Sequence, residues 1–245
     1  MELQPPLTDI LADAVTGCDL NARCTERFAK LRYKVGNAPV SWWPCPHFDV
    51  PDVFGGGEFT GRLRESFPPD LPPLHESGRV TQGSYDRRKG AVLDVDLARS
   101  FGPEWEELFM VLFRSDCAGF FCAKFKAAIE ARLGPHFQAI KPEILAIEDA
   151  PGYAIGPHTD HPRRLMSAFI YLDGTEGTQL FWPKDEEFRC RGGPHHSFDR
   201  FNPVYEAPSL PGSMFCFVKT AASFHGRAET GYPRRLVLYN LLIDD

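Results

Sequence analysis

Between residues 140 and 243 the apolar positions fall into short runs separated by turn-forming residues. Glu143 to Glu148, Leu165 to Leu172, Gly177 to Trp182, Met214 to Val218 and Leu236 to Leu242 are such runs, bounded by Ala150-Pro151-Gly152, Asp173-Gly174 and Pro211-Gly212-Ser213. Runs of this length between Gly/Pro turns predict strands, several of them covered on both faces. The first half of the chain has a different period. Residues 7–33 place Ile10, Leu11, Ala14, Phe28 and Leu31 at three- and four-residue spacings, interrupted by Gly17, and predict helix. Pro103-Glu104-Trp105-Glu106-Glu107 opens another helix, with Pro early and acids in the first turn. A second helical run, Phe120 to Leu133, stops at Gly134-Pro135. Ala91 to Leu97 reads as a short strand. Residues 36–78 are rich in Pro, Gly and aromatics, so no regular element can run long there. They form either a lid over the site or a structural wrap around the sheet.

Composition narrows the class. At 245 residues, 43% hydrophobic and 24% charged, the chain is an ordinary globular protein, and its 20 Phe imply an aromatic-rich core. A net charge of −6 argues against nucleic acid as a partner. One basic group (Arg62, Arg64, Arg87, Arg88, Lys89) reads as a solvated loop. Seven cysteines without a Cys-x-x-Cys pair do not make a disulfide framework, and Cys117 and Cys216 lie in apolar runs as buried thiols. The acidic first twenty residues do not form a signal peptide, and no apolar run reaches a membrane span, so a cytoplasmic protein is expected.

The chemistry centres on Gly152 to Asp160. On a strand, positions i and i+2 share a face, so His158 and Asp160 offer an imidazole and a carboxylate to one point. His225, after the Met214–Val218 run, is the candidate for a third ligand. Two His and one carboxylate on one side of an ion make the facial triad of non-haem Fe(II) oxygenases. Arg234 and Arg235 follow nine and ten residues later, at the head of a strand. A guanidinium fixed inside such a site would clamp a carboxylate with two hydrogen bonds. Only one of the two can face inward, and both faces of that strand are apolar, so the pattern leaves the choice open. Cys190, His195 and His196 fit no zinc spacing and read as a loop between strands, with a histidine that touches substrate as the other reading. His161 points to the opposite face from its neighbours.

The order His158-x-Asp160, His225, then Arg234 or Arg235, on predicted strands over roughly residues 140–245, resembles the Fe(II)/2-oxoglutarate-dependent dioxygenases, in the layout of their prolyl-hydroxylase-like branch. The resemblance implies a mainly β fold with flanking helices. Its core would be a double-stranded β-helix (jelly roll) with a helical buttress over residues 101–245, and residues 1–100 would be an irregular, partly helical arm packed on that core. It implies Fe(II) held by His158, Asp160 and His225, and 2-oxoglutarate and O2 as cosubstrates. It also implies hydroxylation of a small molecule or amino-acid side chain, with release of succinate and CO2. The far carboxylate of 2-oxoglutarate would pair with Arg234 or Arg235, the nine-residue spacing favouring Arg234. Tyr171 would assist through its hydroxyl, and Thr178 and Tyr153 would line the site. Two other classes stay open: a cupin-like metal enzyme that does not use 2-oxoglutarate, and a non-catalytic jelly-roll binding module. Substrate identity and oligomeric state do not follow from the sequence.

Overall fold

The computed structural model describes residues 18–74, 87–134, 140–229 and 231–243. The expected helical pattern over residues 7–17 lies outside them. Among the described residues are six α-helices, α1 (Cys18–Asn37), α2 (Gly57–Glu65), α3 (Val95–Phe101), α4 (Pro103–Phe113), α5 (Ser115–Lys124) and α6 (Lys126–Leu133). Asp94 caps α3 by accepting the Leu97 N–H at 2.8 Å. Gly102, at φ 133°, turns the chain from α3 into α4, a conformation that favours glycine. Pro103 then opens α4, as its sequence predicts. The expected helix from Phe120 to Leu133 belongs instead to two shorter ones that break at Phe125. The expected strand at 91–97 lies earlier, at 88–92, because the Asp94 cap starts a helix.

The ten strands among the described residues are β1 (His47–Val50), β2 (Arg88–Val92), β3 (Ile140–Asp149), β4 (Ile155–His158), β5 (Arg164–Asp173), β6 (Gln179–Pro183), β7 (Phe201–Glu206), β8 (Met214–Val218), β9 (His225–Arg227) and β10 (Arg234–Ile243). They form two sheets whose strand pairs are antiparallel: a six-stranded sheet in the order β1-β8-β5-β10-β3-β2 and a four-stranded one in the order β4-β9-β6-β7. Both edge strands of the larger sheet come from the first hundred residues, and the last strand, β10, sits inside it.

The large sheet is buried on both faces, which is why its strands read as unbroken apolar runs. Ala168, Ile170 and Leu172 of β5, Met214, Cys216 and Val218 of β8, and Val237, Tyr239 and Leu241 of β10 pack toward the helices. Phe169, Tyr171, Phe215, Phe217, Leu236 and Leu238 fill the other side. Residues 47–63 belong largely to the helical side of the core: Phe48, Val50, Val53, Phe54, Phe59 and Leu63 are buried there. No helix among the described residues is long and apolar enough to cross a membrane.

Candidate active site

The three proposed metal ligands meet. β4 ends at His158, β9 begins at His225, and the register sets the two opposite each other. Asp160 follows two residues on. Their donor atoms all lie within 4.8 Å of one another, and the three side chains are at most 6% exposed. Among the described residues, no other group of three His, Cys, Asp or Glu is arranged in this way.

Local backbone orients each imidazole. Nδ1 of His158 lies 3.0 Å from the Gly156 carbonyl oxygen, and Nδ1 of His225 lies 3.1 Å from that of Ser223. A carbonyl can only accept, so each Nδ1 donates and leaves its Nε2 lone pair for a metal. Burial pushes the His158 pKa well below its ordinary value, helped by the nearby His225 and His195 rings. Burial lowers that of His225 too. Both are therefore neutral at pH 7, the form that coordinates. His225 Nε2 and Asp160 Oδ1 are 3.8 Å apart, beyond hydrogen-bond range. Burial alone would raise the Asp160 pKa. The Arg164 charge, followed by the two imidazoles and the Ser167 hydroxyl, outweighs it and holds the carboxyl well below the usual range. Arg164 Nη1 donates to Oδ1 at 2.7 Å and Ser167 Oγ to Oδ2 at 3.0 Å. Two neutral imidazoles and one fixed carboxylate suit a divalent ion such as Fe(II).

Close backbone packing holds the ligand strands. A Cβ on Gly226 would meet the Ile155 carbonyl oxygen at 2.5 Å, and one on Gly156 would meet that of His196 at 2.4 Å. The loop bearing His195 thus lies against β4. His195 is buried, its ring centroid 4.3 Å from that of His158. His161 is exposed, as its parity predicts.

The structure resolves which arginine faces inward. Arg234 is 1% exposed and lines the same cavity as His158, Asp160 and His225. Arg235 is partly exposed on the opposite face, 3.4 Å from Glu148 and over the Phe67 ring. Nε and Nη2 of Arg234 donate to Asp149 Oδ2 at 3.0 and 2.6 Å. Its Nη1 is buried and has no hydrogen-bond partner among the described residues. Beside it, Tyr171 donates its hydroxyl to Thr178 Oγ1 at 3.0 Å and accepts the Thr178 N–H at 2.9 Å. Thr178 lines the cavity. Tyr153 lies in the turn before β4, its ring covered by the Arg88 guanidinium at 4.3 Å.

The solvated-loop reading of the basic group fails at Arg88. This side chain is buried and bonds Asp149 Oδ1 through Nε at 2.6 Å and Oδ2 through Nη2 at 3.0 Å. Arg62 instead pairs with Glu58 and with Glu104 at 2.8 Å. Sequence reasoning missed Asp149, Arg227, Arg164 and Ser167 altogether. The position of Arg227, two residues past His225 on one strand, is the signal that would have found it.

No family model and no curated protein matches the chain by sequence. Solved structures do match in fold. A Trichoplax adhaerens prolyl hydroxylase in complex with a hypoxia inducible factor peptide aligns with a TM-score of 0.51 at 10% identity, over 94% of this chain and 96% of that one. An Arabidopsis thaliana dioxygenase for auxin oxidation, solved with 2-oxoglutarate, aligns with a TM-score of 0.50 at 11% identity, over 94% and 90%. A Phytophthora capsici prolyl 4-hydroxylase aligns with a TM-score of 0.51 at 13% identity, over 91% and 64%. With a mostly antiparallel double sheet and flanking helices, the chain has the fold of the prolyl-hydroxylase-like Fe(II)/2-oxoglutarate oxygenases.

Proposed function

We propose that the protein is an Fe(II)- and 2-oxoglutarate-dependent oxygenase that hydroxylates a small molecule or amino-acid side chain, built on a double-stranded β-helix core. His158, Asp160 and His225 would hold the iron. When bound, iron, 2-oxoglutarate and O2 supply the oxidising chemistry, with succinate and CO2 as products. The chain's own part is binding and orientation. The Gly156 and Ser223 carbonyls aim the imidazoles, and Arg164 and Ser167 keep Asp160 ionised and fixed. Arg234 would take the far carboxylate of 2-oxoglutarate. Asp149 holds two of its nitrogens, which sets the plane of the guanidinium and leaves Nη1 for the cosubstrate. Thr178, which lines the cavity, and Tyr171, hydrogen-bonded to it, would assist that carboxylate, and Tyr153 would contribute through Arg88.

One observation carries this reading over the cupin-like alternative: a buried arginine, inward on β10, lines the cavity of the triad and keeps an orphaned donor. The test is to add Fe(II) anaerobically to the apoprotein, titrate 2-oxoglutarate and follow the visible charge-transfer band of the chelate. The band is expected in the parent protein and not in His158→Ala. Iron binding without the band would favour the cupin-like class, and no iron binding would leave a binding module.

A further inference from the structure

A second cavity lies where β1, an edge strand of the large sheet, meets β7, an edge strand of the small one. It measures about 410 Å³, and Trp43, His47, Asp49 and Tyr205 are among the residues that line it. That is the size of a small-molecule site. Among the described residues, none lines both this cavity and that of the triad. A row of ring contacts separates the two. Centroid distances are 5.9 Å from His47 to Phe215, 5.8 Å from Phe215 to Phe217, and 4.5 Å from Phe217 to His225.

Strand parity builds the polar part of this cavity. His47 and Asp49 are two positions apart on β1, so they share a face. The Tyr205 ring packs on His47 with centroids 4.8 Å apart, and its hydroxyl donates to Asp49 Oδ1 at 2.7 Å. Burial and the neighbouring carboxylate push the Tyr205 pKa up, so the hydroxyl keeps its proton and Asp49 remains the acceptor. Among the described residues, Asp49 Oδ2 has no hydrogen-bond partner, and no Lys, Arg or His forms an ion pair with the carboxylate. Two cations stand close to neighbouring rings, Lys124 over Phe48 at 5.1 Å and Arg189 over Trp182 at 5.6 Å. Each donates to backbone carbonyls, and neither lines the cavity.

The rest of the lining is aromatic and apolar. Trp43 is 55% exposed and its neighbour Trp42 59%, and the Trp43 ring packs against Trp182 with centroids 5.9 Å apart. Two adjacent indoles this open to water mark a binding surface. Ring faces carry negative potential, so indole and phenol beside an unpaired carboxylate attract a cation and disfavour an anion.

We infer that this cavity binds an alkylammonium group, with an N–H donated to Asp49 Oδ2 and the carbons against Trp43 and Tyr205. The inference goes beyond the oxygenase reading and requires neither iron nor 2-oxoglutarate. The same ammonium chemistry has two sources, a free amine and the lysine side chain of a peptide.

Calorimetric titration of butylammonium, and of its neutral isostere 1-butanol, into the protein at neutral pH tests this. Butylammonium is expected to bind and butanol not. Asp49→Asn keeps an acceptor oxygen for Tyr205 and should weaken butylammonium roughly ten- to hundredfold. Trp43→Ala, at an exposed position, should weaken it roughly three- to thirtyfold. Butanol binding as tightly as butylammonium overturns the inference. So does an Asp49→Asn variant within about twofold of the parent, or the absence of butylammonium binding in the millimolar range. If Asp49→Asn does not fold, Trp43→Ala and the comparison of amine with alcohol on the parent protein decide. Nα-acetyl-lysine amide binding more tightly than butylammonium assigns the site to a peptide's lysine, and weaker binding assigns it to a free amine.

Discussion

Replacing Asp149 with Asn tests the buried charge row directly. The carboxylate is fully buried and accepts four guanidinium hydrogen bonds from Arg88 and Arg234. Burial alone would raise its pKa, but the two guanidinium charges and their hydrogen bonds outweigh it and bring it down to about 2. Against an unfolded value of about 3.9, that gap corresponds to roughly 2.5 kcal/mol of stability above pH 4. Removing one partner of a buried ion pair costs about 3–5 kcal/mol, and Asn keeps one acceptor oxygen, so about 3 kcal/mol is expected. For a chain of this size that is a fall in Tm of roughly 6–12 °C. Urea denaturation of the metal-free protein at neutral pH measures it. A depressed carboxylate pKa stabilises above the unfolded value and loses that effect as pH falls through the folded one. The gap between parent and Asp149→Asn should therefore shrink between about pH 4 and pH 2. The adjacent Glu148, on the opposite face of β3, pairs with the partly exposed Arg235, so Glu148→Gln should cost under about 1 kcal/mol. Equal costs at 148 and 149, or an Asp149→Asn loss below about 0.5 kcal/mol, would refute the argument from burial and parity.

Arg234→Gln should weaken 2-oxoglutarate roughly ten- to hundredfold in the chelate titration, while Arg235→Gln stays within about twofold of the parent. Gly226→Ala drives a methyl into the Ile155 carbonyl and parts β9 from β4, so calorimetry should show Fe(II) affinity at least about tenfold lower. Folding keeps His158 and His225 neutral, whereas the unfolded chain takes up their protons below about pH 6.5. The urea midpoint of the apoprotein should therefore fall from about pH 7 to pH 5, with a shallower slope in His158→Gln.

The convergence of His158, Asp160 and His225 was legible because strand parity and turn residues survive in a single sequence. The inward choice between Arg234 and Arg235 was not. Leu236 and Leu238 fill one side of β10 while Val237 and Tyr239 meet the helices, so apolarity carries no parity signal. The Asp149 row was hidden for another reason. Its partners lie 61 and 85 residues away, and only the register of three strands brings them together. Edge strand β1 escaped notice and β2 was placed three residues late, because four or five residues beside Pro- and Gly-rich stretches carry too short a period to read. The main core strands, which form a double-sided hydrophobic layer, were visible from their apolar runs.

The place of β10 has a consequence for how the molecule comes to be. It is the last of the described strands in chain order, yet it lies between β5 and β3 and joins the two parts of the large sheet. Until it pairs, β3 and β2 have no link to β5, β8 and β1, so the sheet closes late during synthesis and through contacts distant in sequence, a topology that folds slowly. Arg234 arrives on that same strand. Completion of the core and placement of a buried arginine beside the triad are thus one event, and a chain that has not finished folding has no inward arginine at that cavity.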